Sequence, residues 1–263
     1  GLVLTEGDSN TFVGKDAGDS ATVINEAVLI GHNAGHTIST STSVDGTVGI
    51  GAEALASLTS GGGNIAIGYE VAKNMTTGAS NTIIGHQAGQ NQDDSSFSTI
   101  IGYRANQNGT SGAGDNNVII GAHAGGQQAT MTGGNNVLMG NDVLQYATST
   151  AGNTSIGWAS GKQLSTGDYN IFMGYSAGGT TTDVDYTVII GFQAGISNMT
   201  AAADGTIAIG YRSLNALTSG TNNTAVGYEA LLSEDTGDFN TAIGYQALRN
   251  QNRDGTVNNT AVG

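Results

Sequence analysis

Few side chains in this sequence stand in patterns that could do chemistry. His32 and His36 are four apart, a spacing that suits zinc when both residues share a helix face. No helical pattern surrounds them and no carboxylate follows in the required place, so His32 and His86 read more simply as substitutes for tyrosine in a repeated aromatic position. The acid pairs Asp93-Asp94 and Asp183/Asp185 could touch calcium, but the Gly-Gly-x-Gly-x-Asp nonapeptide of calcium-binding rolls is missing. They read as solvated loop acids. Serine and threonine are plentiful, yet no Gly-x-Ser-x-Gly elbow, phosphate-binding loop or dinucleotide fingerprint occurs. The sequence therefore predicts no catalytic residue, no metal ligand set and no cofactor: the chain reads as a non-enzyme.

Composition narrows the class further. The 263 residues include 43 Gly, no Pro, no Cys and only 11% charged side chains, against roughly 25% charge and 7% Gly in an ordinary globular domain. Without Cys there are no disulfides and no thiolate chemistry. A formal net charge of −14 from 21 acids and 7 bases argues against nucleic acid as a partner, because phosphate binding needs a basic surface. No apolar stretch approaches the roughly 18 to 20 residues that span a bilayer, so membrane insertion is not expected.

The elements that must carry any function are set by a repeat. A small polar residue, a β-branched residue, two apolar residues and a glycine recur fifteen times, ending at Gly14, Gly31, Gly51, Gly68, Gly85, Gly102, Gly121, Gly140, Gly157, Gly174, Gly191, Gly210, Gly227, Gly244 and Gly263. The spacings are 17 residues, lengthened to 19 or 20 at intervals. Three residues before each glycine stands Thr, Val or Ile, and immediately before it Val, Ile or Met. Side chains alternate along a strand, so these two positions share one face. The pattern predicts that they point inward, as a core ladder of Ile67, Ile84, Ile101, Ile120, Ile190, Ile209, Val226 and Ile243.

The residue between them then points the other way. It is apolar in thirteen of fifteen copies, with Gly49 and Ser155 the exceptions, so both strand faces should be covered. A coil of 17 residues cannot bury its own apolar face, but stacked coils can. The expected fold is an all-β parallel β-solenoid of about fifteen coils of 17–20 residues, forming a single repeat domain over residues 1–263. The middle column, including Ile83, Ile100, Ile119, Leu138, Phe172 and Ile189, becomes an exposed apolar stripe too large for a soluble monomer. It is expected to pack against sister chains in a closed symmetric oligomer.

Six copies follow the glycine with tyrosine, predicting an aromatic ladder of Tyr69, Tyr103, Tyr175, Tyr211, Tyr228 and Tyr245, with His32, His86, Trp158 and Phe192 in the same column. Such faces could bind carbohydrate, although regular recurrence favours packing. Alanine dominates two positions further on, and the next position switches between Gly, as in Gly18 and Gly35, and Leu, as in Leu214 and Leu231.

The segments Asn64-Ile-Ala-Ile-Gly68, Thr206-Ile-Ala-Ile-Gly210 and Asn223-Thr-Ala-Val-Gly-Tyr-Glu-Ala-Leu231 resemble the head repeats of trimeric autotransporter adhesins. Asn240 to Leu248 is closer still to the Asn-Thr-Ala-Ile-Gly-Tyr-Gln-Ala-Leu repeats of bacteriophage tail fibres. The resemblance implies a left-handed β-roll in a homotrimer, a structural and adhesive fibre on a virion surface or outside a cell. The expected role is a rigid trimeric rod of a phage tail fibre that presents a tip binding a host-surface glycan or protein receptor. The strand motif runs to both ends without a polar capping unit, which predicts a fragment of a longer fibre chain. A bacterial surface adhesin head is the nearest alternative. An ice-binding solenoid is a second, although threonine alternates with Val and Ile three residues before the glycine, which looks like core. A carbohydrate-cleaving solenoid is a third, and would need paired carboxylates in a groove.

Overall fold

A computed structural model describes residues 7–38, 44–109, 114–126, 131–256 and 258–263. The chain comprises two compact units, Gly1–Asn135 and Asn136–Gly263. Both are parallel β-solenoids, together making about fourteen turns with almost no helix. The first unit contains β1 (Thr11–Val13), β2 (Val28–Ile30), β3 (Val48–Ile50), β4 (Ile65–Ile67), β5 (Thr82–Ile84), β6 (Thr99–Ile101) and β7 (Val118–Ile120). The second contains β8 (Val137–Met139), β9 (Thr154–Ile156), β10 (Ile171–Met173), β11 (Val188–Ile190), β12 (Ile207–Ile209), β13 (Thr224–Val226), β14 (Gly237–Asp238), β15 (Thr241–Ile243), β16 (Gly255–Thr256) and β17 (Thr260–Val262).

Each three-residue strand is the repeat motif without its first residue and its glycine. Strands pair in parallel with equivalent positions opposite one another, as in Thr82↔Thr99, Ile83↔Ile100 and Ile84↔Ile101. β14 and β16 form a separate short pair in the loops. The corners follow the same rule, since many of their backbone N–H groups bond to a neighbouring coil. Gln87 N donates to Tyr69 O at 2.8 Å and Gly89 N to Ala105 O at 2.9 Å. Backbone polarity is thereby satisfied from coil to coil, which is what permits such short strands.

The motif glycine has a specific cause. At Gly210 φ is +134°, a region essentially closed to residues with a Cβ, and a Cβ there would lie 2.2 Å from the carbonyl oxygen of Gly227 in the next coil. Conformation and close approach therefore demand glycine together. The lengthened repeat from Gly191 to Gly210 places its extra residues in a loop, at low entropic cost. There they form the 3-10 turn Ala201–Ala203.

Burial exchanges the two faces of the strand relative to the sequence expectation. Ile83, Ile100, Ile119, Leu138, Phe172 and Ile189, expected at an oligomer interface, fill the interior of the coils, where none is more than 1% exposed. Ile67, Ile84, Ile101, Ile120, Ile190, Ile209, Val226 and Ile243, expected as the core ladder, face outward and are half-buried or exposed. The coil is narrow, so a three-residue strand turns one side chain inward, and that is the middle one.

Its partner sits four residues after the glycine. In several coils a large middle residue occurs with a small one there: a Cβ on Gly178 would stand 3.0 Å from the ring of Phe172, and one on Gly35 would stand 2.8 Å from Leu29, whereas Leu138 and Leu144 are both large and both buried. Where the middle residue is small, as at Gly49, Ala208 and Ala225, the partner is Leu55, Leu214 or Leu231, each fully buried. The two positions share one volume. Ser155 is the polar occupant of the middle column, and its hydroxyl is satisfied inside by Ser160, whose Oγ lies at 3.0 Å and in turn donates to Phe172 O at 3.0 Å.

Candidate functional site

The outward face of the strands is the main candidate. Its two columns, three residues and one residue before each glycine, contain no charged side chain in any of the fifteen copies. Val13, Ile65, Ile67, Met139, Ile171, Met173, Ile243 and Val262 are between 36% and 75% exposed. Beside them runs the aromatic column. In the second unit Trp158, Tyr175, Phe192, Tyr211, Tyr228 and Tyr245 stack with ring centroids 4.7 to 5.5 Å apart and planes within 18° of parallel. In the first, Tyr69, His86 and Tyr103 stack at 5.2 and 5.3 Å, and His123 meets Tyr103 edge-on. Apart from half-buried His123, these rings remain exposed.

Sequence reasoning missed a second set of aromatics two residues ahead of the strand. Phe97, Tyr169, Tyr186 and Phe239 are exposed, and Tyr169 stacks on Tyr186 at 5.4 Å. Their common distance of five residues before the glycine was the available signal.

A ladder of buried asparagines fixes the turn opposite. The first motif position, read from sequence only as small and polar, places Asn153 wholly inside. Its Nδ2 donates to Gly167 O at 2.9 Å, and its Oδ1 accepts the backbone N–H of Asn170 in the next coil at 2.8 Å. Asn81, Asn170 and Asn223 repeat the arrangement. Replacing Asn153 by alanine leaves a buried carbonyl and a buried N–H unpartnered, each costing about 1–3 kcal/mol. A loss of roughly 2–4 kcal/mol in urea unfolding is the expected result, with the fold retained.

The acidic loop residues serve the same purpose. Asp168 Oδ1 accepts Ala151 N, Asp185 Oδ1 accepts Asp168 N and Asp204 Oδ1 accepts Asp185 N, at 2.7, 2.7 and 2.8 Å, while Asp183 accepts Ala201 N at 3.0 Å. Burial raises the pKa of Asp204 against the lowering effect of that N–H, and the carboxylates of Asp185 and Asp183 raise it further. Ionised Asp204 therefore costs the folded state at neutral pH. Stability from this group grows as pH falls through its raised folded pKa and is fully present below the unfolded value of about 3.9. Asn at this position keeps the acceptor, so Asp204→Asn should melt about 1–2 °C above the parent at pH 7, with the gap closing by about pH 3.

Charged side chains on the coil exterior form linked rows. Glu70 accepts from Gln87 at 2.8 Å and Gln90 at 2.7 Å and pairs with Lys73, which also pairs with Glu53. The Gln87 hydrogen bond, then Lys73, holds the Glu70 carboxyl below its ordinary value against the cost of burial. Glu229 is lowered chiefly by Arg249, whose Nε stands 2.7 Å away. His36 pairs with Asp19 at 2.6 Å. Among the described residues no group of three or more His, Cys, Asp or Glu is placed to hold a metal ion, and no helix is long and apolar enough to cross a membrane.

The geometry therefore defines a β-solenoid with an exposed, uncharged, aromatic-bordered face. No protein-family model matches the chain, and no curated protein matches it significantly.

Proposed function

We propose that this chain is a structural and adhesive fibre segment, a trimeric rod of the kind found in phage tail fibres, whose three copies meet through the outward strand face and which presents a receptor-binding tip. A bacterial surface adhesin head uses the same physics with another anchor. The observation that carries the reading is the uncharged outward face, repeated on every coil of both units. Water penalises a continuous apolar surface of this kind, and parallel stacking gives a sister chain the same ladder at the same spacing. The repeat resemblance to fibre and adhesin segments supports three as the copy number. Light-scattering mass in solution tests it: three chain masses are expected, and a stable monomer at micromolar concentration overturns it.

The outward direction of the strand face also favours a second reading. Thr82 and Thr99 lie opposite one another on that face, as do Thr224 and Thr241, so threonine stands on the surface rather than in the core. A regular array of Thr, Val and Ile on a β-face is suited to ordered water, and a monomer that strongly inhibits ice recrystallisation would establish ice binding in place of assembly.

A further inference from the structure

One stretch of the second unit departs from the repeat where the repeat elsewhere carries linked polar side chains. The second and fifth positions after the glycine hold Glu70 with Lys73, Gln87 with Gln90, and Gln246 with Arg249. Around Trp158 the corresponding positions are Ala159 with Lys162 and Ser176 with Gly179, so three of the four are small. The missing side chains leave an open cavity of about 300 Å³, bounded by Trp158, Tyr146, Lys162, Gln163, Ser176 and Thr180.

The lining combines two kinds of surface. Trp158 and Tyr146 are 46% and 42% exposed, giving the cavity aromatic walls. Ser176, 8% exposed as a residue, and Gln163 add a hydroxyl and a side-chain amide to the lining. The one cation, Lys162, is paired with Asp142 at 3.4 Å, so the cavity presents no free positive charge, and the chain as a whole is acidic. Exposed aromatic surface beside a hydroxyl and a planar amide matches the alternating C–H and O–H surfaces of a sugar. The volume stands at the low end for small-molecule sites, suiting one hexose unit.

We propose that this cavity binds a neutral saccharide unit. The proposal deepens the fibre reading by naming a receptor class, but the site lies within one chain and its test is separable from assembly. Trp158 is the chain's only tryptophan, so its fluorescence reports on the site directly. The full chain is titrated with the methyl glycosides of glucose, galactose, mannose, N-acetylglucosamine and N-acetylgalactosamine, and with N-acetylneuraminic acid. A saturable change with at least one neutral sugar is expected. Ser176→Glu fills the cavity with a residue the same column carries at Glu70 and Glu229, and should weaken binding at least tenfold. Tyr146→Ala, which removes a wall, should do the same. Neither variant should change the solution mass or the melting temperature by more than a few degrees. No saturable response to any neutral sugar, a stronger response to N-acetylneuraminic acid, or binding that both variants retain would overturn the proposal. Loss of trimers with sugar binding intact would remove the fibre reading and leave this one standing.

Discussion

Gly210→Ala should unfold the coils around β12 and β13. The substitution forces a Cβ into φ +134° and to within 2.2 Å of the Gly227 carbonyl, and that carbonyl is backbone already fixed by the ladder. Strain in a glycine-only region costs about 1–3 kcal/mol, and overpacking adds about 1–3 kcal/mol. The sum, about 2–6 kcal/mol, is comparable with the whole stability of many domains, 5–15 kcal/mol. Coils depend on their nearest neighbours, so amide exchange should rise first in the second unit near the substitution. Gly46→Ala is the control. Gly46 also has positive φ, +68°, but a Cβ there meets nothing within 4 Å, and only about 1 kcal/mol is expected from the left-handed conformation. Equal losses in the two variants would show that the close approach of successive glycines does not constrain the fold.

The second large effect separates the inside of the coil from its outer face. Ile119 is completely buried, so Ile119→Asp places an unpaired carboxylate in an apolar interior and forfeits about 1.5–3 kcal/mol of side-chain burial. Loss of more than about 4 kcal/mol, and of the folded first unit at 25 °C, is expected. Ile67, in the same unit, is 37% exposed. Ile67→Asp should cost the isolated chain less than about 1 kcal/mol yet prevent association through the outward face. Circular dichroism with light scattering distinguishes the pair: an unfolded Ile119→Asp chain beside a folded, monomeric Ile67→Asp chain. A folded, associated Ile67→Asp chain would remove that face as the interface, and an unfolded one would contradict its outward direction.

Much of the fold is legible in the fifteen-fold motif. Its phase predicts one short strand per coil, its β-branched residues place Thr82–Ile84 and its equivalents in that strand, and its length changes mark the loops. The partnership across the interior was also present in the sequence, in a form that single columns conceal. Phe172 with Gly178, and Ala208 with Leu214, trade volume across six residues of chain, and the trade assigns both positions to one enclosed space. Taken separately, the switch between Gly and Leu suggests only spare room, and the apolar middle residue suggests an external stripe.

The sequence by itself determined the repeat, the strand positions and the alternation of side chains, because these follow from local chemistry that recurs every 17 residues or slightly more. Only the tertiary structure decided which alternate set faces inward. An apolar residue on either side of a strand satisfies the same periodicity, and the choice rests on the width of a coil closed by corners with positive φ, as at Leu214 and Leu231, and by asparagines that reach from one coil to the next. The cavity beside Trp158 belongs to the same category: Ala159, Ser176 and Gly179 are unremarkable along the chain, and their spaces become one only when two successive coils are stacked.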